Sequence, residues 1–196
     1  MNKNIRKISV AGALSALVLL LGFSKLGIIP WFSGASITIL HLPVIIGALV
    51  EGPVVGGIVG AVFGIYSLVM AATSPAGALD PFFVNPLVSV LPRILIAVVA
   101  WAVYAGFCKI EKLPKIVGCA IASFLGSLTN TVLVLGTLVL IPECPLTFEV
   151  ALAVVVGNGI LEAAAATIIS TAVVSAWKHI SGRKTSKLTE ETADEE

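Results

Sequence analysis

The chain has 196 residues, 58% of them hydrophobic and only 12% charged, with a mean hydropathy of +1.07 and a net charge of +1. A soluble domain carries about 25% charged residues. At half that fraction the chain is excluded from the ordinary water-soluble class, and lipid must be the solvent for most of its side chains.

In chain order, the first hydrophobic segment runs from about Ile8 to Ile29 and ends before Pro30. It has a basic flank but no small-x-small exit, so it is expected to stay as a helix and not to be cleaved as a signal peptide. The second, from about Ile37 to Val50, carries His41 and Pro43. It is shorter than the ~20 residues that cross ~30 Å of hydrocarbon, so a re-entrant piece is the alternative there. The third runs from about Val54 to Ala72, the fourth from Leu87 to Phe107, the fifth from Ile116 to Ile141 and the sixth from Phe148 to Trp177. Runs such as ILIAVVAWAVYAGF are apolar on every side, unlike the alternating strands of a membrane barrel. The expected fold is an all-α membrane protein, a six-transmembrane-helix bundle over residues 1–178. A polar and mobile cytoplasmic tail is expected over 179–196.

Orientation follows from the basic residues. Of the twelve, ten (Lys3, Arg6, Lys7, Lys109, Lys112, Lys115, Lys178, Arg183, Lys184 and Lys187) fall on one side if there are six spans. The positive-inside rule then puts both termini in the cytoplasm. Only Lys25 and Arg93 fall elsewhere. Cys108, Cys119 and Cys144 are an odd set without CxxC spacing, which implies neither a disulfide framework nor a metal site.

Ionisable and amide groups within apolar spans cost roughly 2.5–3.5 kcal/mol for a central charge and need a reason to be there. Here they are His41, Asn85, Arg93, Asn130, Asn158 and Glu162. Arg93, in PFFVNPLVSVLPR, can clamp a carboxylate in bidentate geometry, pair internally with Glu162, or anchor at the interface. Asn158 and Glu162, four apart, share a helix face. Asn85, Asn130 and Asn158 carry amides that suit a polar ligand but also serve helix–helix hydrogen bonds. His41 is either a substrate contact or hydrogen-bonded packing. Trp31 and Phe32 follow the first segment as an interfacial anchor or a cover over a bound solute.

Small residues form a second pattern. Ala11 with Ser15, or Gly12 with Ala16, gives small-xxx-small spacing in the first segment, and Gly56, Gly57, Gly60 and Gly64 enrich the third. Such spacing lets helices approach closely. The third segment's glycines are read as internal packing. The first segment's small residues serve equally for packing or for docking another membrane subunit. The sequence contains no GxxxxGK[ST] loop, HExxH site or GxSxG context, so no catalytic residue is assigned and no enzyme activity is expected.

These residues carry a resemblance. RKISVAGALSALVLLLG, LHLPVIIGALVEGPVVGGIVGAVFG, PFFVNPLVSVLPRILI, SLTNTVLVLG and GNGILEA resemble the substrate-binding S components of energy-coupling factor (ECF) vitamin transporters, over about Lys7 to Trp177. The NPLVSVLPR, TNT and NGI-x-E pieces are most similar to the pantothenate branch, although LEAAAAT stands where that branch has a proline-containing stretch. The resemblance implies a multi-pass protein of the bacterial cell membrane. It would capture a water-soluble vitamin with high affinity at the outer face. The chain would bind no cofactor of its own. A transmembrane coupling subunit and two cytoplasmic ATPases would supply ATP-driven uptake, with the lipid bilayer as surroundings and no nucleic-acid partner. Gly12 and Ala16 fall where the family has an AxxxA docking motif, with glycine in the first place and Ala11 to Ser15 as a competing register. Pantothenate has one carboxylate, one amide, two hydroxyls and a branched apolar end. Arg93 would take the carboxylate and Asn85, Asn130 and Asn158 the amide and hydroxyls. Glu162 would accept from a hydroxyl or hold Arg93, and Trp31 would close over the apolar end. Riboflavin or folate as the vitamin, and a stand-alone secondary carrier driven through Glu162 or His41, are the alternatives.

Overall fold

A computed structural model describes residues 3–25, 27–30, 36–75, 77–110 and 114–193. The chain is predominantly helical. Helix α1 (Lys3–Phe23) leads to a small antiparallel ladder of β1 (Ile28–Pro30) with β2 (Ser36–Thr38). Then come α2 (Leu42–Glu51), α3 (Pro53–Thr73), a 3₁₀ turn (Asp80–Val84), α4 (Pro86–Ser89), α5 (Leu91–Cys108) and α6 (Lys115–Val139). The last apolar stretch is α7 (Phe148–Val154), a π turn (Val155–Gly159) and α8 (Ile160–Ala193). The tail expected to leave the bundle after residue 178 continues the helical backbone of α8.

Five helical stretches among the described residues are long and apolar enough to cross a bilayer: Lys3–Phe23, Pro53–Thr73, Pro86–Cys108, Lys115–Val139 and Phe148–Trp177. The second segment is different. Its helix, α2, has ten residues, and the chain before it is extended. Pro43 fits the first turn of α2, where a missing N–H breaks no helical bond. What α2 lacks in length it has in burial. Val44, Ile45 and Ala48 are fully enclosed, because α2 lies against α1, α3, α5, α6 and α8. Together with Val18, Phe63, Ile96, Ala97 and Val174 it forms the main core.

Outward faces carry the large apolar residues instead. Ile8, Leu20, Val54, Leu87 and Ile168 are exposed, as expected where the surroundings are hydrocarbon. Gly52 turns the chain between α2 and α3 at φ 101°, a backbone region open to glycine. Beside this turn Glu51 accepts from Arg6 at 2.7 Å, which pins the start of α1 to the end of α2. The opposite end of the bundle gathers the end of α1, the ladder, the end of α3, the 3₁₀ turn and the start of α5.

Candidate functional site

A cavity of about 340 Å³ opens at that opposite end. Its wall includes Lys25, Thr38, Leu40, Phe63, Tyr66, Asp80, Phe83 and Arg93. The volume falls in the range of small-molecule pockets, which run about 300–1,000 Å³.

Arg93 owes its place to the sequence around it. Pro92 has no N–H to give to the carbonyl four residues back, Val88. The helix accordingly breaks at Val90 into α4 and α5, and Arg93 Nη1 donates to the freed Val88 oxygen at 2.6 Å. On α3, Gly60 and Gly64 admit the passing backbone. A Cβ on Gly60 would run into the Arg93 carbonyl oxygen, and one on Gly64 would lie 2.6 Å from Val90 Cα. The guanidinium rests between two rings, 5.3 Å from the Phe63 centroid and 5.4 Å from that of Phe83. Such stacking favours a cation by about 0.5–2 kcal/mol. The residue is 5% exposed, and its Nε has no hydrogen-bond partner among the described residues. A buried guanidinium with an unused donor at a cavity wall is suited to an anionic group.

An Arg93–Glu162 ion pair, one of the alternatives for Arg93, is not formed among the described residues. Glu162 Oε1 accepts from the Thr38 N–H at 3.1 Å and lies 3.6 Å from His41 Nδ1. His41 Nε2 lies 2.9 Å from Ser127 Oγ. His41 is therefore packed in a polar cluster, 1% exposed. Asn130 and Asn158 are also buried, in α6 and in the π turn. Gly159 lets that turn press against α6: a Cβ there would lie only 3.1 Å from Thr131 Cγ2. The shared face expected for Asn158 and Glu162 holds, since both point into the bundle across the π turn. None of His41, Asn130, Asn158 or Glu162 belongs to the cavity wall described above.

Asn85 is elsewhere. It is exposed, and its Oδ1 accepts from Leu87 N–H at 3.0 Å as the N-cap of α4. The Asn-Pro pair is thus a helix start, with Pro86 at the first position, and its amide oxygen has a local partner. Trp31 and Phe32 lie outside the described residues. Sequence reading missed Phe63, Tyr66, Asp80 and Phe83 as cavity residues, and Thr38 as well. It did leave one signal unused: Lys25 and Arg93, the two cations that do not follow the basic clusters, line this one cavity.

On α1, Ala11 faces inward, with Val18 and Gly22. Gly12 and Ala16 are exposed, and a Cβ on Gly12 would meet nothing within 4 Å. Of the two small-residue registers, Gly12–Ala16 faces outward.

Fold and cavity together define a multi-pass membrane protein with a solute-sized pocket at one end of its bundle. The chain belongs to the family of substrate-specific components of ECF transporters, whose model matches residues 6–174. It is similar to the pantothenic acid transporter PanT of Lactococcus lactis subsp. cremoris (strain MG1363), at 33% identity over 172 residues that cover 79% of this chain and 84% of the relative. These are bacterial membrane transport proteins, and the chain is a substrate-specific component of that kind.

Proposed function

We propose that the chain captures pantothenate with high affinity from the outer side of the cell membrane and delivers it through an ECF module. The observation that carries this is the pairing of Lys25 and Arg93 on one cavity. Two cations away from the basic clusters are what a small carboxylate needs: Lys25 at the exposed rim to attract it, and Arg93 within to clamp it. Phe63, Phe83, Tyr66 and Leu40 suit the branched apolar end, and Ser67, Ser74 and Asp80 offer polar atoms to the hydroxyls. Asn130 in α6 and Asn158 in the π turn, which stand outside this cavity's wall, are kept in the proposal as amide partners, and Trp31 as an apolar contact. Asn85 is reassigned to capping.

In this reading the chain crosses six times, with α2 and the ladder together making the second crossing and both termini in the cytoplasm. Gly12 and Ala16 dock on the coupling subunit, and two partner ATPases hydrolyse the ATP. The chain itself performs no catalysis. The family match and the similarity to a pantothenic acid transporter support this assignment.

The test is thermal-shift and calorimetric binding of purified protein against water-soluble vitamins. Pantothenate should be the one that stabilises and titrates. Binding of riboflavin or folate in its place would replace pantothenate in this proposal.

A further inference from the structure

We propose that Glu162 is a positioning residue, which fixes the Thr38 side of the cavity from α8 without touching the solute. This rests on the reading of the cavity as the binding site.

The ladder dictates the need. Ile39 N–H donates to Gly27 oxygen at 2.9 Å, and the register pairs Ile28 with Thr38. In an antiparallel pair, successive N–H groups point to opposite sides. The Thr38 N–H therefore points away from β1, toward the bundle. Part-buried against the bundle, that N–H needs a partner, and leaving a buried donor unsatisfied costs about 1–3 kcal/mol. Glu162 Oε1 takes that proton donor across 124 positions of sequence.

The carboxylate is itself held. His41 Nδ1 stands 3.6 Å from the same oxygen, beyond hydrogen-bond range but in packing contact with it. With Ser127 Oγ at 2.9 Å from Nε2, the ring is fixed from α6. Ser127, His41 and Glu162 thus connect α6, the start of α2, α8 and β2. Thr38 is the member that reaches the cavity wall, and Glu162 is not part of that wall. The arrangement places a buried carboxylate where backbone geometry, and not solute charge, calls for it.

The test compares Glu162→Gln, which keeps an acceptor oxygen, with Glu162→Leu, which does not. Thr38→Pro removes the donor and leaves Glu162 in place. Two readouts are taken: hydrogen exchange of the Thr38 amide in solute-free protein, and the pantothenate dissociation rate. Glu162→Leu should accelerate both by about tenfold or more, the scale of a lost hydrogen bond to a charged group. Glu162→Gln should stay within about threefold of the parent in both. Thr38→Pro should raise the dissociation rate as Glu162→Leu does, and it decides the matter if Glu162→Leu fails to fold. Unchanged Thr38 exchange in Glu162→Leu overturns the proposal. So does a Glu162→Gln variant that loses binding while Thr38 stays protected, because the charge would then be acting on the solute. Exchange in solute-free protein needs no vitamin, so failure of pantothenate to bind leaves this proposal decidable on its own.

Discussion

Arg93 and Glu162 are both buried and within electrostatic reach of each other, yet each turns to a backbone group: Arg93 to the Val88 carbonyl and Glu162 to the Thr38 N–H. A direct pair would have neutralised both and left the cavity without a cation to offer. Held apart, the guanidinium keeps its Nε unpartnered among the described residues.

The first prediction follows from that separation. Arg93→Ala should weaken pantothenate binding by about 30-fold or more, the ~2 kcal/mol lower bound for truncating one member of a buried charged contact. The alcohol analogue of pantothenate, which lacks the carboxylate, should bind the parent protein poorly and bind Arg93→Ala about as well as pantothenate does. Calorimetric titration of both ligands on both proteins is the check; a variant that still prefers the acid would remove Arg93 from the clamp.

Close packing of α3 gives the second. Gly60→Ala and Gly64→Ala each push a methyl into the backbone near Arg93 and Val90. Overpacking of this kind costs about 1–3 kcal/mol, read as a lower unfolding temperature in detergent. Gly57→Ala meets open space and should stay within about 0.5 kcal/mol of the parent. Equal effects at all three positions would mean that the helices can separate without penalty.

A third prediction separates capture from delivery. Ala16→Trp adds bulk to the outward face of α1, where Gly12 and Ala16 are exposed. Pantothenate affinity of the isolated protein should be unchanged, while uptake with the complete module and co-purification of the coupling subunit are lost. Ala11→Leu, on the inward face, should instead lower the unfolding temperature. Normal uptake by Ala16→Trp would move docking to another face.

The crossings can be counted with the native cysteines. Cys108 is exposed at the end of α5 and Cys144 is partly exposed after α6, so α6 lies between them. In single-cysteine proteins, a membrane-impermeant maleimide added to intact cells should label Cys144, and Cys108 should react only once the membrane is opened. Labelling of both from one side would cancel the crossing assigned to α6.

Much of this architecture is legible in the sequence. Long apolar runs mark the spans because lipid selects for them, and buried ionisable groups stand out because they are costly there. His41, Arg93 and Glu162 are accordingly all buried, as their rarity suggests. The position of the cavity is not legible. Phe63 and Tyr66 offer no contrast within an apolar helix, and only the packing of α3 on α5 turns Phe63 toward Arg93. The fourth segment reads as one helix, yet Pro92 splits it. Asn85 looks like a ligand because an amide beside a span is conspicuous; the same Asn-Pro spelling is a cap once a helix start is recognised at Pro86. Glu162 stands out for its charge, but its partner is a backbone N–H, a donor every residue but proline carries and no sequence distinguishes.

The shortness of α2 bears on how the protein is made. Ten helical residues rise about 15 Å, half of a ~30 Å hydrocarbon layer. The extended residues ahead of α2 carry N–H and C=O groups that an isolated chain leaves bare, and lipid cannot satisfy them. In the finished protein the ladder and Glu162 do so, and Glu162 lies more than a hundred residues downstream. A translocation channel that releases helices singly therefore has no stable second helix to release. Residues 36–51 complete their hydrogen bonding only once α8 is in place, since the Thr38 N–H depends on Glu162.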